Sequence, residues 1–165
     1  MGTKSKLVDG LNTALAHTLE TQTEIEIAYR HAREGKLVPY APLFEYLQER
    51  LGRWAERLAD RASALGSYSA EPMRIDASGR FAEVEADPAQ SPYERVAHII
   101  DRYAGYCRVL RKLTEQAMAS RDPRTEWLYA EIVRCAELDM WTLQDHLRFQ
   151  VVCASRLAAN DKSAK

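Results

Sequence analysis

Between Pro42 and Gly66 the apolar residues Leu43, Leu47, Leu51, Trp54, Leu58, Ala62 and Leu65 recur at steps of 4, 4, 3, 4, 4 and 3. That spacing covers one face of an α-helix and is incompatible with a strand, whose side chains alternate with a period of two. Pro42 is tolerated in the first turn, and Gly66 supplies the stop. A helix with so marked an apolar face has to bury it against other elements. Only 7 Gly and 6 Pro occur among 165 residues, and most sit at a few junctions with long unbroken stretches between them. The predicted fold class is therefore all-α. At 46% apolar and 28% charged residues the chain has a real core, which excludes disorder and fibre. A single domain over 1–165 is expected, with short polar tails at about 1–6 and 158–165.

Three further helices are predicted. From Leu7 to about Glu34, Leu11, Leu15, Leu19, Ile25 and Ala28 follow helical spacing before Gly35 and Pro39. Residues 67–91 lose the period and read as a long crossing connection, with a short helical piece around 80–86. Ser91, Pro92 and Glu94 then form a capping box with proline at the first helical position, opening a helix that carries Val96, Ile99, Tyr103, Cys107 and Leu110 and stops near Ser120. Asp122 and Pro123 open the last helix, whose apolar residues include Leu128, Ile132, Leu138 and Trp141 and whose pattern fades beyond Val152. Trp54 and Trp141 are expected in the core, Trp127 partly exposed.

With 23 basic against 24 acidic residues the formal charge is -1, so no whole-protein field draws in nucleic acid or anionic membrane. Cys107, Cys135 and Cys153 are odd in number and widely spaced, which disfavours a disulfide framework or a thiolate metal site. No apolar run approaches the roughly 20 residues of a membrane span, and the amino-terminal stretch lacks an apolar signal core. A cytoplasmic location is expected.

Four long helices with a crossover between the second and third describe a ferritin-like bundle. Local strings add to this: Leu11-Asn12 with Ala16, Ala55-Glu56-Arg57 through Leu65-Gly66, Asp122 with Thr125, and Trp141 through Leu147. In order and spacing, over about residues 7–148, they resemble the Dps family, the DNA-protecting mini-ferritins. The resemblance implies a hollow dodecamer that takes up ferrous iron, oxidises it at sites shared by two subunits and stores the mineral. It implies a His from the late first helix, a His and an Asp from the early second helix, and acidic residues further along that helix supplied by the neighbour. Those positions fall here on Tyr29, Ala41, Glu45, Glu56 and Asp60.

Both imidazoles are thus missing while the carboxylates remain, so Glu45, Glu56 and Asp60 are the candidate iron ligands, with Glu45 and Asp60 the candidate catalytic pair. An all-carboxylate site holds ferrous iron more weakly than a mixed one. Tyr29 can offer a phenolate or simply pack as an aromatic at an interface. His31 lies about 200° around the helix from Tyr29 and substitutes only with a local shift. A site inside one bundle needs Glu-x-x-His on two helices, and no such tetrapeptide occurs, although Glu24 and Glu131 or Glu137 can face inward. His17, His98 and His146 occur singly and carry no metal assignment.

Glu45, Glu49, Glu56 and Asp60 share one face of the second helix, within roughly 60°. Beside them run Arg50, Arg53, Arg57 and Arg61, so a surface laced with same-helix ion pairs, such as Glu49 with Arg53, explains the stripe equally well. DNA contact through Lys4, Lys6, Lys162 and Lys165, multiplied over a symmetric shell and giving a nucleoid association, is a further expectation from the family. Two functions remain open: an iron-binding cage with weak ferroxidase activity, and a cage that kept the fold, lost the chemistry and serves as a structural, DNA-associated or protein-binding component.

Overall fold

The computed structural model describes residues 2–33, 37–66 and 91–163. They form four α-helices: α1 (Thr3–Arg33), α2 (Ala41–Ala64), α3 (Pro92–Ala119) and α4 (Pro123–Ser163). A single 3₁₀ turn, Val38–Tyr40, leads into α2, and the described residues include no strand. The predicted crossover and its helical piece around 80–86 lie outside the described residues.

Cross-helix contacts fix the directions. Gln22 Nε2 donates to the Gln48 carbonyl at 3.3 Å and Lys4 lies beside Gly66, so α1 and α2 are antiparallel. Arg102 reaches Glu20 at 3.4 Å and His98 approaches Glu24 at 3.9 Å, so α1 and α3 are antiparallel as well. It follows that α2 and α3 run the same way, the hallmark of a bundle with a crossover between its second and third helices. Arg111 pairs with Glu137 across the antiparallel α3 and α4.

The helix starts follow the sequence signals. The Ser91 hydroxyl accepts from the Glu94 amide at 3.2 Å, and the Glu94 carboxylate accepts from the Ser91 amide at 2.7 Å, satisfying two otherwise orphaned donors. Asp122 caps α4 by accepting from the Thr125 amide at 3.2 Å. Gly66 closes α2 at φ 80, a left-handed conformation that suits glycine. Helical backbone extends further than expected at both ends of the chain, beginning at Thr3 and running to Ser163. Ala, Leu and Arg between 154 and 159 are strong helix formers with no Gly or Pro to stop them.

The core joins all four helices and includes Leu11, Ile25, Phe44, Leu47, Leu58, Val96, Leu110, Ile132 and Leu143. Trp54 is buried and Trp127 exposed, as expected. Trp141 is not a core residue: it is 60% exposed, and Leu138 is 54% exposed. The buried row of α4 is instead Leu128, Ile132, Ala136, Asp139 and Leu143, and the apolar residues that suggested another row lie on the opposite side of the same helix.

Candidate metal-binding face on the second helix

The apolar face of α2, with Phe44, Leu47, Leu51 and Leu58, turns into the bundle. Glu45, Glu49, Glu56 and Asp60 therefore point away from it, and all four are exposed. At 1.5 Å rise per residue, Glu56 is about 17 Å and Asp60 about 22 Å along the helix from Glu45. One chain cannot bring Glu45 and Asp60 to a single ion. Consistent with this, the described residues contain no group of three or more His, Cys, Asp or Glu side chains able to hold a metal within the chain.

The alternative of same-helix ion pairs is not what the structure has: none forms along α2 among the described residues. Arg50, Arg57 and Arg61, spaced by 7 and 4, share a different face of α2 that turns toward α4. Arg50 binds Asp139 at 2.5 Å and Arg57 binds Glu131 at 2.8 Å. Arg61 donates to both carboxylate oxygens of Asp122, at 2.6 and 2.8 Å, and to the Thr125 hydroxyl at 3.0 Å. Burial favours the neutral Asp122 carboxyl, but the hydrogen bonds from Arg61 and Thr125 outweigh it and hold the group below the usual carboxylate range. The Arg57 guanidinium also lies over two indoles, 4.8 Å from the Trp54 ring centre and 5.6 Å from that of Trp127. Since these arginines spend their charge on α4, none of Glu45, Glu49, Glu56 and Asp60 has an ion-pair partner among the described residues. Asp60 also lines a cleft of about 670 Å³ with Arg57, Arg61, Arg124 and Trp127.

The antiparallel register set by Gln22 with Gln48, and by Lys4 with Gly66, brings Tyr29 level with Ala41 and Glu45. Tyr29 is half-buried, packs on the core and carries the Arg33 guanidinium 5.9 Å from its ring centre. His31 is on the other side of α1, where its Nδ1 lies 3.1 Å from Arg95 of α3. The terminal lysines divide: Lys4 and Lys6 are exposed on the first turns of α1, whereas the side chain of Lys162 and all of Lys165 lie outside the described residues.

Among the described residues the bundle interior holds no paired carboxylate site. Glu24 approaches His98, Glu131 holds Arg57 and Glu137 holds Arg111, so all three turn to the rim. The centre carries Thr18 and Tyr106, whose hydroxyls bond at 2.7 Å, with Tyr103, Cys107 and the Arg50–Asp139 pair. Burial pushes the Cys107 thiol up to about 11 and holds the Tyr103 phenol well above its ordinary value, so neither ionises near neutrality. Burial also outweighs the attraction of Arg50 and raises Asp139 to about 6. Sequence reasoning missed this arginine network because the search was for pairs within one helix. The 7 and 4 spacing of Arg50, Arg57 and Arg61 was the available signal.

The fold has solved counterparts. Dps from Thermosynechococcus elongatus superposes with a TM-score of 0.73 at 16% identity, covering 88% of this chain and 92% of that one. A Dps protein from Vibrio cholerae O1, described as a member of a broad superfamily of ferritin-like diiron-carboxylate proteins, gives 0.72 at 21% identity, with 88% and 91% covered. A two-domain protein from Anabaena variabilis, with DJ-1/ThiJ/PfpI-like and ferritin-like domains, gives 0.69 at 18% identity. The match covers 91% of this chain but only 38% of that longer one. No family model and no curated protein sequence matches. The chain has the Dps-like, ferritin-like four-helix bundle fold, as its sequence suggested.

Proposed function

We propose that this chain assembles with copies of itself into a hollow oligomer and binds ferrous iron between subunits, in the manner of a mini-ferritin. One protomer contributes Glu45, with Tyr29 beside it, and its neighbour contributes Glu56 and Asp60. The observation that carries this reading is the acidic stripe of α2: four exposed carboxylates on one face, without ion-pair partners among the described residues, beside arginines that are all directed elsewhere or exposed. An isolated surface helix gains by pairing such charges. Leaving them unpaired in a bundle of this fold suits a cation brought by the solvent, and the 17 to 22 Å separation requires a second protomer.

Hard carboxylate oxygens fit iron, and a Tyr29 phenolate suits the ferric state. Each ferrous ion gives up one electron, and two such electrons with two protons from solvent reduce one hydrogen peroxide to two waters, so bound ions can be oxidised in pairs without any side chain changing its redox state. Ala41 offers no ligand and Tyr29 replaces an imidazole, which makes weak binding and slow turnover the expected behaviour. The product would be held in the cavity, protecting the cell and its DNA from oxidative stress in the cytoplasm. No described helix is long and apolar enough to cross a membrane.

The absence of both imidazoles also favours a second reading, a cage of the same fold without ferroxidase chemistry that acts as a structural, DNA-associated or protein-binding component, with Lys4 and Lys6 as its exposed basic contacts. Anaerobic ferrous titration of the size-fractionated protein separates the two. Saturable binding that is lost in the variant E45A/D60A, with assembly intact, supports the first; no binding by the native chain supports the second.

A further inference from the structure

Most of the outward face of α4 is left uncovered by the bundle; only its first turns meet α2, where Arg57 lies over Trp127 and binds Glu131. Trp127, Leu138, Trp141 and Val152, with Phe149 alongside, are 49% to 66% exposed, although they are the residues a soluble helix normally buries. They lie opposite the buried row of Leu128, Ile132, Ala136 and Leu143. Between them sit four charged positions, Glu131 and Arg134 on one side and Asp145 and Arg148 on the other. From Trp127 through these residues to Val152 the steps alternate 4 and 3 without a break. That alternation is the spacing of a coiled-coil seam, with apolar residues at four of its eight positions and charges at the other four, in a helix whose opposite face is already occupied.

The order along the seam decides how it is covered. Inverted about the point between Asp139 and Met140, it is its own complement: Leu138 meets Trp141, Arg134 meets Asp145, Arg148 meets Glu131, and Trp127 meets Val152. These matches are what two identical helices present when they pair antiparallel about a two-fold axis, apolar positions facing apolar ones and each charge facing its opposite. A parallel pairing instead sets Arg134 against Arg134 and Asp145 against Asp145. Sliding the antiparallel pair by one heptad sets Leu138 or Trp141 against charge. Among the described residues Arg134, Asp145 and Arg148 have no ion-pair partner, and all three are exposed. Glu131 is already engaged with Arg57, so the unspent charges fall mainly on the pair closest to the axis.

We propose that the outer face of α4 is an isologous interface that binds the same face of a second copy of this chain, antiparallel, with the two-fold axis between Leu138 and Trp141. The interface lies on α4, the helix packed beside α2; only Trp127 at its first turn shares a cleft with Asp60, and the axis between Leu138 and Trp141 lies away from the carboxylates proposed to bind iron.

Charge exchange tests it. Analytical ultracentrifugation of the full chain should show reversible association, with R134E or D145R each weakening it by about tenfold or more, since a two-fold axis repeats every altered contact. The double variant R134E/D145R restores opposite charges across the axis and should recover the native affinity to within about threefold. Both positions are exposed, so the helical circular dichroism should not change. A native chain that stays monomeric, single reversals without effect, or a double variant no better than the singles would each overturn the proposal. Ferrous binding measured on the same variants keeps the two readings apart, because loss of self-association through α4 with iron binding retained, or the reverse, identifies which of them fails.

Discussion

Arg50 of α2 and Asp139 of α4 meet at 2.5 Å within the bundle, and the carboxylate is almost wholly buried. The pair links the two helices that contribute the candidate site and the outward seam. Burial raises Asp139 to about 6 in spite of the arginine. Between about pH 4 and 6 the folded chain therefore holds a proton that the unfolded chain has already released. The consequence is a stability contribution that falls as pH rises through this window and levels off above it. Chemical denaturation of the native chain and D139N at several pH values should show the native chain losing roughly 2 to 3 kcal/mol relative to the variant between pH 4 and 7. A difference independent of pH would contradict this account of Asp139.

Asp122 behaves oppositely. Its pKa is lowered by Arg61 and Thr125, so its contribution is present above the ordinary carboxylate range and is lost as acid protonates the folded form. Because it caps α4 and also holds Arg61, D122A removes a helix cap and leaves a half-buried guanidinium without its main partner. A loss of roughly 2 to 3 kcal/mol at neutral pH is expected from thermal or urea unfolding. The loss should shrink as the pH is lowered below the ordinary carboxylate range and the folded carboxylate takes up its proton.

Two buried tyrosines, three residues apart, should respond in opposite directions. The Tyr106 hydroxyl is bonded to Thr18, whereas the Tyr103 hydroxyl is buried with no hydrogen-bond partner among the described residues. Y106F leaves the Thr18 hydroxyl without Tyr106 and should cost about 1 kcal/mol. Y103F removes an unpaired polar atom from the core and should be neutral or stabilising by about 1 kcal/mol. Equal destabilisation by the two variants, measured by urea unfolding, would show that the Tyr103 hydroxyl has a partner in solution.

The fold was legible because its signals are local. The 3 and 4 steps of α2, the Ser91–Glu94 capping box and the Asp122 cap each depend on residues a few positions apart, and each appears in the structure as read. Helix α4 was harder to read, because it carries apolar residues on two faces and periodicity alone cannot say which face the bundle buries. Leu138 and Trp141 were assigned inward for that reason. The candidate site was legible only as residue types at positions: Glu45, Glu56 and Asp60 share the expected face, but what frees them from ion pairing is decided by Asp122, Glu131 and Asp139, 61 to 89 residues from their arginines. No rule of spacing within one helix reports a partner on another.

The central claim is that the α2 carboxylates bind ferrous iron across a subunit boundary. Anaerobic titration of ferrous iron into the size-fractionated protein, followed by addition of peroxide and measurement of ferric absorbance against a protein-free control, tests it most directly. Saturable binding and accelerated oxidation by the native oligomer, both lost in E45A/D60A while its mass and helical signal persist, are the predicted result. Binding that survives the double substitution, or a native oligomer that neither binds iron nor accelerates its oxidation, would contradict it.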